Sequence, residues 1–233
     1  MAGDALSRKW MHRNQFPYRG DIEHLATDLG SAGAYLLNVS YEWACTTGIH
    51  QTIGAPPIMM RVLDWDPPAL GRTISVIRQS GQAGDWFNIA WPGFVGALTA
   101  LAAGRFAAAI NKPPLPPSIT GRGLAPLFPQ AATAADWLAS RPGRWRSDAM
   151  PPAHLLHQVC EEVRDWDQAL DRQTQMEALL TSGRDPWNLT WLQPPILNPT
   201  TRVVAVAHPA TGRLTVQGWE ATGAATHMLE LTG

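Results

Sequence analysis

The sequence is short of charge, of cysteine and of the usual cofactor fingerprints. Lys and Arg total 18 against 19 Asp and Glu, a formal charge of −1 in 233 residues. Phosphate contacts need a surplus of cations on one face, so the balance argues against a nucleic-acid partner. Two cysteines, Cys45 and Cys160, exclude a disulfide framework. There is no Gly-x-Gly-x-x-Gly, no phosphate-binding loop and no Gly-x-Ser-x-Gly elbow. At the N-terminus, Arg8 and Lys9 precede any apolar run, so a secretory leader is not expected and a cytoplasmic setting with reduced thiols is. Residues 86–104 carry no charged side chain, but Asn88, Pro92-Gly93 and Gly96 interrupt them, and buried strands are expected there rather than a membrane span.

What is present is 45% hydrophobic residues, with 20 Gly, 20 Pro and 11 Trp, the signature of a loop-rich globular chain with heavy aromatic anchors. Its length allows roughly 70% of the unfolded surface to be buried, so neither metal nor disulfide is needed for stability. A helix is expected over residues 17–30, closed by Gly30. Residues 34–41 are apolar and rich in β-formers. Strands are expected at 58–63, 73–78 and 86–91, joined by Gly-containing turns as one antiparallel meander, followed by a hairpin of 95–101 with 105–110. Helical signals occupy 131–140 and 151–180, ending at Gly183. A last hairpin pairs 201–208 with 213–219 across Pro209-Ala-Thr-Gly212. This order suits an α+β layered domain.

Chemistry concentrates around Tyr41-Glu-Trp-Ala-Cys45-Thr-Thr and Arg61-Val-Leu-Asp64-Trp65, with the arginine sixteen and the aspartate nineteen positions after the cysteine. If the strand at 58–63 lies beside the one carrying Cys45, Arg61 and Asp64 come near the thiol. A guanidinium stays cationic and favours the thiolate; the aspartate could hold an amine or orient the arginine. The bland readings are a buried structural cysteine, an ion pair at a sheet edge, and, for Asn111 before Lys112-Pro113, an ordinary strand-exit residue. His154, His157 and Cys160 invite a metal reading, yet residues three apart drift around a helix and no fourth ligand is apparent, so a solvated helix face is preferred.

Together with Trp91-Pro-Gly-Phe-Val-Gly-Ala-Leu-Thr99 and Phe106-Ala-Ala-Ala-Ile-Asn111, these residues resemble the cysteine N-terminal nucleophile hydrolases. That group includes bile salt hydrolases, penicillin V acylases, acid ceramidase and acyl-coenzyme A:6-aminopenicillanate acyltransferase. The resemblance covers most of residues 8–170 and roughly 172–220. It implies a four-layer αββα sandwich and self-cleavage between Ala44 and Cys45. Residues 1–44 would then be a candidate propeptide and 45–233 the catalytic domain. The freed α-amine of Cys45 would serve as base for its own thiol. Arg61 would stabilise the thiolate, Asp64 would accept from the α-ammonium, Asn111 would donate to the oxyanion, and Arg172 would support the site.

The resemblance further implies an internal shortening near 170–173 and an incomplete sandwich, because no counterpart of the family's second oxyanion asparagine lies between Cys160 and Thr181. The expected activity is cleavage or transfer at a linear, non-peptide carbon–nitrogen amide bond through a Cys45 thioester. The partner would be a small-molecule amide or acyl donor, with no cofactor beyond acyl-CoA as a candidate donor. Two alternatives stand beside it: a catalytically inactive relative acting as a binding or assembly module, and a thiol enzyme with a histidine base, for which His50 is the nearest in sequence. A shortened sheet exposes an edge that favours pairing, so a homodimer is a further expectation.

Overall fold

The structure is a computed structural model, and it describes residues 2–16, 18–30, 32–39, 44–50, 54–81, 84–110 and 167–232. Three helices lead the chain: α1 (Ala2–Arg13), α2 (Arg19–Leu29) and α3 (Ala34–Val39). α2 stops where Gly30 takes a left-handed φ of 57°, the usual chain reversal past a helix C-terminus. Met11, Phe16 and Ile22 form the small core that these helices share, with Tyr35, Val39 and Val95 packed against it.

The β-forming residues at 34–39 are helical, which corrects the local reading. Tertiary contact explains the outcome, because buried Asn38 reaches a distant turn. Its Nδ2 donates to the Gly93 carbonyl at 2.8 Å and its Oδ1 accepts from the Val95 amide at 2.7 Å. The same Nδ2 donates to Ala34 O one turn back. Burial of an amide makes such partners obligatory, and that requirement overrides a weak strand preference.

Two antiparallel sheets follow. The larger contains β1 (Ala44–His50), β2 (Ile58–Asp64), β7 (Thr201–His208), β8 (Arg213–Glu220) and β10 (Leu229–Leu231) in the order β1-β2-β7-β8-β10, with β9 (Gly223–Ala224) paired to β8. The smaller contains β3 (Ser75–Gln79), β4 (Trp86–Ala90), β5 (Thr99–Ala102) and β6 (Phe106–Ala109) in sequential order. The expected three-strand meander is therefore split. β2 is buried on both faces and pairs with β1 and β7. A 3-10 turn over Leu70–Thr73 then carries the chain across to the smaller sheet. Gly71 makes that crossing possible, since any side chain there would collide with the Trp219 carbonyl of β8. Both expected hairpins are present, β5 with β6 and β7 with β8.

Side-chain alternation sorts the core into layers. Met59 and Leu63 of β2 and Val203, Ala205 and Ala207 of β7 face Ile89, Leu98 and Leu101 of the smaller sheet. Trp65 and Trp91 meet in this layer with ring centroids 5.1 Å apart. From the other face of the larger sheet, Met60, Val62, Val204 and Val206 pack against a fourth helix, α4 (Asp167–Thr181), through Met176. The described residues thus form helix, sheet and sheet, a mixed α+β arrangement. The helical signals at 131–140 and over 151–166, and the candidate ligands His154, His157 and Cys160, lie outside the described residues. No helix among the described residues is long and apolar enough to cross a membrane, and the uncharged stretch at 86–104 folds as β4, a turn and β5. Across the expected shortening at 170–173, α4 runs without a break.

Candidate functional site at the start of β1

The ladder between β1 and β2 fixes the site. Cys45 lies opposite Leu63 and Thr47 opposite Arg61, so Cys45 and Arg61 project from the same face of the larger sheet, toward the smaller one. Cys45 is half-buried and packs against the inter-sheet core. Arg61 Nη2 donates to Cys45 Sγ at 3.3 Å and to the Ile110 carbonyl at 2.8 Å. The thiol in turn donates to Ile110 O at 3.5 Å. Two opposing preferences meet at the sulfur: the carbonyl favours the protonated thiol, while the cation favours the thiolate.

Arg61 is 1% exposed. Burial pulls its guanidinium below the ordinary arginine range, and the charges of Cys45 and Asp64 work against that pull. Its Nε and Nη1 are buried and have no hydrogen-bond partner among the described residues. An unsatisfied buried donor costs about 1–3 kcal/mol, more where it belongs to a charged group.

Asp64 faces the other way. It pairs with Ala44 across the ladder, at a register shift after Leu63, and projects toward α4. One carboxylate oxygen accepts from Thr201 Oγ at 2.8 Å, and the other accepts from Arg172 Nη2. Burial raises the Asp64 carboxyl above its usual range; Arg172, Thr201 and Asn198 pull it back without cancelling the effect. α4 approaches closely enough to deliver Arg172 because Gly48 of β1 leaves room for it. A methyl group at Gly48 would meet Met176 Cγ and Sδ at 2.7 Å. Arg172 and Met176 are one helical turn apart, so the contact that seats Met176 also sets Arg172.

Cys45 and Arg61 are in direct contact, and Asp64 and Arg172 form an ion pair on the opposite face of the same sheet edge. Asn111 lies outside the described residues, although its neighbour Ile110 is in the site. His50 is unsuited to act as base. It ends β1, about 16 Å along the strand from Cys45, and its Nδ1 is 2.6 Å from the Leu180 carbonyl. Sequence reasoning missed Thr201 and the Ile110 carbonyl. Thr201 opens the last hairpin and is fully buried, but only the β2–β7 register reveals that it faces Asp64.

A concavity of about 370 Å³, bordered by Trp187, His208 and Arg213, opens at the far end of β2 beside Ile58. It is remote from Cys45, and the reactive group rather than this concavity defines the candidate site. Among the described residues no cluster of three or more His, Cys, Asp or Glu side chains is arranged to hold a metal ion. No family model matches this chain, and no curated protein matches it closely enough to count as a relative.

Proposed function

We propose that this chain is a cysteine amidohydrolase or acyltransferase of the N-terminal nucleophile type, built on a four-layer αββα sandwich and working in the cytoplasm. The observation that carries the reading is the 3.3 Å contact of a buried guanidinium with the sulfur of Cys45. Self-cleavage begins with Cys45 Sγ attacking the Ala44 carbonyl carbon. The peptide C–N bond breaks, the acyl group passes to sulfur, and the nitrogen leaves as the α-amine of Cys45. Water then hydrolyses this thioester, giving the Ala44 carboxylate and a free thiol. Asp64 sits across the ladder from Ala44, beside the strand end where the new ammonium arises.

In turnover the α-amine takes the thiol proton, and its ordinary range of about 7.7–8.0 suits that task near neutrality. The thiolate attacks a linear amide, the carbonyl electron pair moves to oxygen, and its return expels the amine, which receives the proton. Water resolves the thioester in hydrolysis; a second amine resolves it in transfer, with acyl-CoA as a candidate donor. A fragment beginning at Cys45 in the intact mass spectrum, and a mass increment on Cys45 after an activated ester, are the expected results. An intact chain that also resists the ester defeats the proposal.

A second reading, a non-catalytic binding or assembly module, draws on Asp64, whose two oxygens are already taken by Thr201 and Arg172. Cys45→Ala separates the two: loss of acyl transfer supports the enzyme, and an unchanged binding phenotype supports the module.

A further inference from the structure

Arg61 has more donors than its neighbours use. Nη2 serves both Cys45 Sγ and the Ile110 carbonyl, while Nε and Nη1, equally buried, meet no acceptor among the described residues. A guanidinium that only steadied a thiolate would need just the first of these contacts. Nη2 belongs to both two-donor edges of the planar group, one shared with Nε and one with Nη1. With Nη2 3.3 Å from Sγ, an oxygen carried on the carbon that bonds to sulfur would be received at one of those edges wherever it comes within the roughly 3 Å that an oxyanion donor requires.

We propose that Arg61 is itself an oxyanion donor, so that the site takes a carbonyl compound whose oxygen, on attack by Cys45, is received by the unspent N–H groups of this arginine. The inference rests on the nucleophile reading and extends it. As sulfur bonds to carbon, negative charge leaves Sγ and appears on oxygen. No proton moves at Arg61, whose cation is used twice, first for the thiolate and then for the alkoxide. The charge moves only across the S–C and C–O bonds, so the protein need not reorganise around it.

Arg61→Lys tests this, because lysine keeps a cation and removes the planar fork. Two reactions of Cys45, both localised by peptide mass spectrometry, read the two roles. Alkylation by iodoacetamide over a pH series reports the thiolate and creates no oxyanion; acylation by p-nitrophenyl acetate creates one. The expected result is acylation slowed by about 100-fold to 1,000-fold, with alkylation at matched thiolate fraction within about 3-fold of the unsubstituted protein. A parallel fall in both rates, or acylation left intact, overturns the inference while leaving the nucleophile reading in place. Failure of the unsubstituted protein to acylate Cys45 overturns that reading as well. Should Arg61→Lys not fold by circular dichroism, the unsubstituted protein supplies the answer through its ¹⁵N-arginine spectrum. The Arg61 Nε–H signal moves when 1,1,1-trifluoroacetone adds to Cys45 as a hemithioketal, whose trifluoromethyl group resists the dehydration that would close a thiazolidine on the freed α-amine, and stays in place after alkylation; no movement with trifluoroacetone overturns the proposal.

Discussion

The two faces of the larger sheet, at the edge where β1 begins, treat a buried charge in opposite ways. Toward α4, Asp64 is 2% exposed and has its oxygens taken by Thr201 and Arg172. Toward the smaller sheet, Arg61 is 1% exposed and leaves Nε and Nη1 without an acceptor. A buried carboxylate with both oxygens bonded makes a rigid anchor, although Arg172 Nε on that face is also buried without a partner, whereas the two open donors of Arg61 are retained at a cost to the fold. The contrast is between an acceptor whose oxygens are both used, Asp64, and a cation, Arg61, with two donors in reserve.

Removing one member of the ion pair is the largest test of that contrast. Arg172→Ala leaves the Asp64 carboxylate buried with no cation beside it and only the neutral Thr201 and Asn198 side chains, and a loss of about 3–5 kcal/mol is expected. The measurement is a urea titration at neutral pH; a loss below about 1 kcal/mol would show that the pair is solvated in practice. The pH dependence carries a definite sign. Because the Asp64 carboxyl is raised above its reference of 3.8 in the folded state, the folded protein holds this proton more tightly than the unfolded chain does. Its contribution to stability is full below 3.8 and declines as pH rises through the folded value. Asp64→Asn abolishes this decline, so the difference in stability between the two proteins changes across that window and is flat below it. A difference that is flat throughout would mean that Asp64 titrates normally.

Arg61→Met should move in the other direction. It exchanges a desolvated cation for an apolar chain of similar length, and a gain of about 1–4 kcal/mol is expected together with loss of Cys45 acylation. Destabilisation in the same urea titration would mean that the bond to the Ile110 carbonyl outweighs the burial of the charge, and the contrast between the two faces would fail. Gly48→Ala is a smaller perturbation of the helix side. Its methyl must displace Met176, a flexible neighbour, so a cost of about 1–3 kcal/mol is expected. Part of that cost is a weakened Arg172–Asp64 pair, visible as a smaller further loss when Arg172→Ala is added; strictly additive effects would show that the two contacts are independent.

How far the chain could be read without coordinates follows from the range of the interactions involved. β2, β4, the β5–β6 hairpin and the β7–β8 hairpin were legible because alternation, tight turns and Gly or Pro punctuation are local. The helix at 34–39 was not legible, since the deciding hydrogen bonds run from Asn38 to Gly93 and Val95. The meander failed for a similar reason: β2 finds β7, far along the chain, a better partner than β3. At the site, the expected adjacency of the strand at 58–63 and the one carrying Cys45 is seen in the β1–β2 pairing. Alternation also places Arg61 and Asp64 on opposite faces, and the shared strand at 58–63 alone did not convey that separation. Thr201 and the Ile110 carbonyl were invisible because a buried hydroxyl and a backbone oxygen carry no pattern of their own.

Asn38 offers the mildest and most local test, and it concerns the segment ahead of Cys45. Its amide ties α3 to the 92–96 turn through Gly93 O and Val95 N, and Leu37 flanks the same turn at Gly93. With the Ala44–Cys45 bond intact, covalent continuity holds α1–α3 against the sheets whatever Asn38 does. If that bond is cut, as the proposed function requires, these contacts and the small core of Met11, Phe16 and Ile22, against which Val95 packs, hold the piece in place. Asn38→Ala leaves the Val95 amide and the Gly93 carbonyl to find other partners, at a cost of about 1–2 kcal/mol. In an uncut chain that is a modest loss of stability. In a cut chain the same energy becomes a roughly 5–30-fold weaker association between two polypeptides. Size-exclusion chromatography at micromolar and at nanomolar concentration should then separate the fragments of Asn38→Ala before those of the unsubstituted protein. Equal retention at every concentration would place the docking energy in the apolar contacts instead.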